Sequence, residues 1–163
     1  MSFATDHILS WLTFLPLIGA GVILLFMSRR ATAAFWTAMT FAVADLLLSL
    51  RLWFGYDAGP GTAQFVVRVA WFMNGGVQYH LAVDGISLVL VMLTTVLGPL
   101  IILSTRRALA ERVPLFMAMY LFLQTAMIGT FLARDMLLFY VFWEAMLIPM
   151  YFIIGIWGGQ RRI

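Results

Sequence analysis

Cysteine is absent from these 163 residues. That absence excludes disulfides, zinc–thiolate sites and cysteine-ligated iron–sulfur clusters, and it leaves the redox compartment undetermined. Lysine is absent too, since all ten basic residues are arginines. Charged residues make up only 10% of the chain, against about 25% in an average soluble domain, so the surface facing water must be small. A glycine-rich phosphate loop, metal-ligand spacing and a nucleophile–base pattern are all missing. The net charge of +3 does not point to nucleic acid, because most arginines flank apolar segments, where they set orientation.

What remains is apolar. Hydrophobic residues are 64% of the chain and the mean hydropathy is +1.01. The N-terminus carries Asp6 and His7 rather than a basic stretch, so Trp11 to Met27 reads as a retained span and not as a cleaved signal peptide. Five spans can be drawn, at about 9–27, 33–54, 82–104, 114–132 and 136–157, with Pro114 opening the fourth and Gly98-Pro99 kinking the third. The fold class expected is therefore an all-α polytopic membrane protein, with residues 1–163 forming one membrane domain. Between the second and third spans, residues 55–81 hold two runs rich in valine and aromatics around Asn74-Gly75. That dipeptide favours a small β-hairpin in the outer loop; an irregular loop against the helix ends is the alternative. The chain stops at Ile163, just past a helix end, and five spans with a buried charge and no partner for it lead us to expect an incomplete protein.

Glu144 is the residue that stands out. It interrupts Leu137–Phe152, an otherwise uncharged segment, where a carboxylate costs about 2.5–3.5 kcal/mol even on lenient insertion scales. Helical spacing puts Tyr140, Leu147 and Tyr151 on its face, with Gly155 further along. Pro149 has no N–H, so it should free the carbonyl of Ala145, where water can sit, and kink the helix one turn past Glu144. Proton or ion transfer through Glu144, supported by Tyr140, Tyr151 and Pro149, is the functional reading; helix glue is the bland one. Asp45, inside the second span, is either a relay or a protonated structural residue. Asp84 reads as the N-cap of the third span, Arg134-Asp135 as a loop ion pair plus a helix start, and His80 as an interfacial anchor or proton shuttle at the edge of the third span.

Phe142-Trp143-Glu144-Ala145-Met146-Leu147-Ile148-Pro149-Met150-Tyr151-Phe152 resembles the fifth-helix motif of the antiporter-like subunit M family of bacterial respiratory complex I, the proton-translocating NADH:quinone oxidoreductase. His80-Leu81-Ala82-Val83-Asp84-Gly85-Ile86-Ser87-Leu88 is similar to that family's third-helix opening, and Leu132-Ala133-Arg134-Asp135-Met136, Pro16 and Gly19 also fit. The resemblance covers essentially the whole chain. It implies that Glu144 is the intramembrane carboxylate of one proton-translocating unit, partnered by a lysine on a later helix, and it assigns no family carboxylate to Asp45. It also implies no cofactor in this chain, with NADH, FMN, iron–sulfur clusters and quinone in other subunits. The expected partners are other membrane-arm subunits of complex I and the lipid bilayer, in the bacterial inner membrane. A subunit of a multisubunit sodium/proton antiporter and a purely structural membrane protein are the rival functions.

Arginine placement sets the expected topology. Arg29, Arg30, Arg106, Arg107, Arg112, Arg161 and Arg162 fall on one side, and Arg51, Arg68 and Arg134 on the other. The richer side should be cytoplasmic, which puts the N-terminus and the 55–81 segment outside and the C-terminal end inside. An impermeant maleimide added to intact cells should therefore leave an Arg106→Cys variant unlabelled; labelling from outside would reverse the topology.

Overall fold

The computed structural model describes residues 7–57, 59, 63–72, 76–108 and 111–158. Five helices dominate: α1 (Ile8–Phe26), α2 (Ala31–Gly55), α3 (Gly85–Ala108), α4 (Val113–Leu132) and α5 (Met136–Trp157). All five are long and apolar enough to cross a membrane. Between α2 and α3, strands β1 (Gln64–Phe72) and β2 (Val77–Val83) form an antiparallel two-stranded sheet. The expected fold class therefore holds, hairpin included. The turn expected at Asn74-Gly75 lies outside the described residues.

α4 is the axis of the bundle. Residues on every side of it are buried, from Phe116, Met117 and Tyr120 to Thr125, Ile128 and Leu132. In lipid an apolar surface does not choose the centre; α4 is distinguished by Gln124, Thr125, Gly129 and Thr130, small or polar residues that pack and hydrogen-bond against other helices. By share of residues covered, 67% of α4 is buried, against 17% of α5. α1, α2, α3 and α5 all pack on α4. Small residues permit the close approaches, as expected where packing rather than hydrophobicity drives association in lipid. A Cβ at Gly19 would stand 2.6 Å from Phe41 Cγ, and one at Gly129 would stand 2.5 Å from Phe142 Cγ.

Two apolar clusters fill the two ends. At the hairpin end, Leu9, Leu12, Leu52, Val67, Leu81, Val83, Leu88, Ile128, Leu132 and Phe142 come together. At the opposite end, Ile23, Phe35, Ala38, Ile102, Phe116, Met117 and Leu121 do so. Between the clusters the buried residues turn polar: Thr13, Asp45, Ser49, Thr94, Thr95, Gln124 and Thr125. By helical rise, Asp45 and Gln124 sit about 12–15 Å in from the hairpin-side ends of α2 and α4.

The hairpin is fastened to the helices by hydrogen bonds. Arg68 faces His80, and Val67 faces Leu81. A bulge between Gln64 and Val67 holds Phe65 at φ 54°, a left-handed backbone that a bulky residue rarely adopts. Leu81 bridges Ala133 in the α4–α5 connection, the Arg134 N–H donates to the His80 carbonyl at 2.9 Å, and the Tyr79 hydroxyl donates to Ser10 at 3.0 Å. Two expectations are corrected here. His80 belongs to β2 and not to the edge of a helix, and residues 82–83 complete that strand before α3 begins. The cause is pairing: the β2 backbone is engaged by β1 up to Val83, and only Asp84 releases it into a helix.

The Gly129 contact yields a test. Phe142 Cγ is the root of its ring, so rotation of the ring does not relieve the clash. Gly129→Ala should destabilise the protein by about 1–3 kcal/mol, read as thermal unfolding in detergent, and Phe142→Leu in the same chain should recover part of the loss. Gly21, with nothing within 4 Å of its Cβ position, is the control and should accept alanine without loss.

Candidate functional site

Glu144 occupies the ninth position of α5, about 12 Å from its hairpin-side end. Leu138, Phe142 and Pro149 turn toward the bundle, and Glu144 turns away from it. The stripe inferred from spacing is present: Tyr140 is 58% exposed, Leu147 49% and Tyr151 74%, all on the side that the chain leaves uncovered. Tyr140 interacts with Glu144 one turn on. α5 runs unbroken through Pro149. Glu144 forms no salt bridge among the described residues, so the carboxylate is an open site on one wall of the bundle.

The second carboxyl is closed. Asp45 is 0% exposed, and its Oδ2 accepts a 2.7 Å hydrogen bond from Nε2 of Gln124, also 0% exposed. One turn along α2, Ser49 pairs with Thr95 of α3 at 2.7 Å. Of the two roles that the sequence leaves open for Asp45, a relay or a protonated structural residue, neither identifies Gln124 as its partner. A carboxamide alone in an apolar span was the available signal, because an unsatisfied amide in hydrocarbon is nearly as costly as a charge is conspicuous.

At the hairpin end a third group of side chains ties the elements together. Asp84 caps α3 reciprocally: its Oδ1 accepts from the Ser87 N–H at 2.8 Å, while Ser87 Oγ accepts from the Asp84 N–H at 2.8 Å. Serine here does the work of the glutamate in a capping box. Asp84 Oδ2 also holds Arg134 at 2.7 Å. The expected Arg134–Asp135 ion pair is thus replaced by Arg134–Asp84. Asp135 is occupied elsewhere, capping α5 through the N–H groups of Leu137 and Leu138 and accepting from the Gln78 N–H of β2. Both Asp135 oxygens are thereby engaged, Oδ1 by the first turn of α5 and Oδ2 by Gln78, whereas Asp84 caps with Oδ1 and keeps Oδ2 for Arg134.

These contacts set the charge states. The Ser87 N–H, with help from its hydroxyl and from Arg134, outweighs partial burial and holds the Asp84 carboxyl down at about 2. Asp135 is likewise lowered, first by the Gln78 N–H. His80 is lowered by partial burial and then by Arg68 and Arg134, so it favours the neutral imidazole beside the guanidinium of Arg68, 3.5 Å from Nδ1.

Residues 12–130 match the family described as NADH-ubiquinone oxidoreductase chain 4, amino terminus. The chain belongs to that family. Residues 133–163, which contain Glu144, match a second family, described as NADH:quinone oxidoreductase/Mrp antiporter. NADH-quinone oxidoreductase subunit M of Rhodobacter capsulatus is 48% identical, across 97% of this chain and 31% of its own length. Its namesake in Pseudomonas aeruginosa is 38% identical, across 93% of this chain and 31% of its own. A chain in the solved structure of respiratory complex I from Thermus thermophilus with bound NADH superimposes with a TM-score of 0.77 at 28% identity, covering 94% of this chain and 30% of that one. The chain thus spans about a third of the length of the relatives it matches. Within the chain 4 family match lie Asp45, Asp84 and Gln124, whereas Asp135 and Glu144 fall in the second match.

The cap at Asp84 has a pH window. Its folded pKa lies below the ordinary 3.8, so its contribution is complete above about pH 4 and disappears as the pH falls toward 2. Amide exchange at Ser87 and Leu88 should be unaffected between pH 7 and 5 and should accelerate, after correction for intrinsic rates, between about 4 and 2. Asp84→Ala, which removes the acceptor of the Ser87 N–H, should expose the same amides at neutral pH. Loosening already between pH 7 and 5 would point to His80 instead, whose burial and neighbouring guanidinium groups lower its titration below the ordinary histidine range.

Proposed function

We propose that the chain is the amino-terminal part of a proton-translocating membrane-arm subunit of NADH:quinone oxidoreductase, and that Glu144 is the group that takes up and releases the proton. The carrying observation is the open carboxylate: the ninth of 22 residues of α5, on its uncovered wall, with Tyr140 and Tyr151 on the same face. A carboxylate facing acyl chains is costly, and such residues face a bundle interior or a water-filled path. The uncovered stripe therefore calls for further protein, with a cationic side chain to pair with Glu144. Every cation of this chain within the spans lies near a helix end, at Arg51, Arg106 and Arg107, so the partner comes from outside residues 1–163, as a lysine would.

The mechanism is electrostatic. With the cation close, Glu144 is stabilised as a carboxylate; with the cation withdrawn, the neutral acid is favoured and a proton is taken up. Electron transfer from NADH to quinone through FMN and iron–sulfur centres belongs to other subunits, and its energy reaches Glu144 as a change in that pairing. The Tyr140 hydroxyl and the carbonyl of Ala145, left without a donor by Pro149, offer polar atoms along which water can carry the proton. The expected setting is the bacterial inner membrane, with the hairpin outside. A sodium/proton antiporter subunit remains the second reading, because the family that matches around Glu144 includes Mrp antiporters. The names of the Rhodobacter and Pseudomonas relatives favour the first.

Glu144→Gln in the assembled complex should reduce NADH-driven proton pumping in inverted vesicles to a small fraction while leaving assembly intact. Glu144→Asp should retain part of it, since a titrating group survives at shorter reach. Near-normal pumping with glutamine would leave Glu144 as a packing residue.

A further inference from the structure

The centre of a membrane bundle is where polar side chains are hardest to satisfy, yet here a polar layer separates two apolar clusters. Its core is the contact of Asp45 with Gln124. Nε2 of Gln124 donates to Asp45 Oδ2 at 2.7 Å. The other oxygen of each group, Asp45 Oδ1 and Gln124 Oε1, is buried without a hydrogen-bond partner. A carboxylate and an amide oxygen can only accept, so the pair as drawn is short of one donor.

Charge gives the same deficit. The titratable residues on the five helices are Asp45 and Arg51 on α2, Arg106 and Arg107 on α3, Tyr120 on α4, and Tyr140, Glu144 and Tyr151 on α5. Arg51 is about 9 Å along the helix from Asp45 and is exposed on another face. Arg106 and Arg107 lie at the far end of α3, and Tyr120 brings no positive charge. Nor can a cation arrive from elsewhere, because the chain's own helices cover Asp45 completely. That closure separates Asp45 from Glu144, whose partner can approach from outside.

One proton corrects both deficits. Bound to Asp45 Oδ1, it makes the group neutral and gives it an O–H that can donate to Gln124 Oε1. Acid and amide then form a cyclic pair with two hydrogen bonds and no net charge. We propose that Asp45 and Gln124 form a second intramembrane proton-binding site, independent of Glu144, in which the proton rests on Asp45 Oδ1 and is shared with Gln124 Oε1. Gly98 of α3 makes room for it, since a Cβ there would stand 3.0 Å from Gln124 Oε1. Next in line are Ser49 and Thr95. Their hydroxyls are 2.7 Å apart, and each also reaches a carbonyl, Leu46 at 2.8 Å and Met92 at 3.1 Å. Two hydroxyl protons serve three contacts, so the pair can reverse direction, as a route for proton exchange requires. Pro99 adds a free acceptor beside them, because it supplies no N–H to the Thr95 carbonyl.

Infrared difference spectroscopy of the protein in its native membrane, in a Glu144→Gln background that removes the other carboxyl of the five helices, tests this. A protonated-carboxyl C=O band should be present at neutral pH and absent from Asp45→Asn. That variant should assemble normally, because an amide–amide pair keeps both hydrogen bonds without the extra proton. Gln124→Leu should move the band to higher frequency, since the Asp45 carbonyl loses its N–H donor, and this readout holds even if Asp45→Asn fails to assemble. The deuterium shift of the band in heavy water should be slower in Ser49→Ala. Identical spectra with and without Asp45 in the protonated-carboxyl region, or an unmoved band in Gln124→Leu, would overturn the proposal. A deuterium shift at unchanged rate in Ser49→Ala would remove the hydroxyl pair as its route.

Discussion

Hydrocarbon offers no hydrogen-bond partner, and the bundle is organised by that constraint. The backbone is satisfied within five helices, and the hairpin, which cannot satisfy itself alone, sits at their ends, where Arg134, Asp135 and Ser10 supply partners. Buried hydroxyls follow the same logic. Thr13, Thr94 and Thr130 turn back to the carbonyls of Leu9, Leu90 and Ala126 one turn earlier. Among the described residues, buried polar side chains also meet between helices, at Asp45–Gln124 and Ser49–Thr95, and Thr125 Oγ1 is left without a partner.

The two intramembrane carboxyls are solved in opposite ways. Asp45 is enclosed by helices of its own chain and answered by an amide, and interhelical hydrogen bonds of this kind contribute roughly 0.6–2 kcal/mol. Glu144 has no such enclosure and is presented outward on the helix with the least cover. A closed acid is suited to holding a proton in place. An open one can be addressed by a charge that moves. α4 stands between them: Gly129 brings Phe142 against it, which turns the far side of α5, and Glu144 with it, away from the bundle.

Much of this was legible in the residues. Spans declare themselves because uncharged runs of about 20 residues have few alternatives, and Glu144 because one charge in such a run is conspicuous. The hairpin was one of two readings of residues 55–81, suggested by valine-rich runs around Asn-Gly. Partnerships were not legible. Arg134 next to Asp135 suggests a pair, but Asp135 has one oxygen on the α5 cap and the other on Gln78, which leaves Arg134 to the free oxygen of Asp84, fifty residues away. The role of Gln124 is not legible locally, because it depends on Asp45, seventy-nine residues earlier. Which face of α5 is covered also depends on tertiary packing, since apolar residues surround that helix on both sides.

The central claim is that Glu144 is an open proton site completed by protein beyond these residues. A high-resolution structure of the intact assembly, measured for the distance from the Glu144 carboxylate to the nearest cationic nitrogen, tests it most directly. The account predicts a lysine or arginine within about 4–6 Å, the range over which an opposite charge controls a carboxyl, with Tyr140 and Tyr151 covered by protein or water. Acyl chains lying along Tyr140, Glu144 and Tyr151, with no cation in reach, would contradict it.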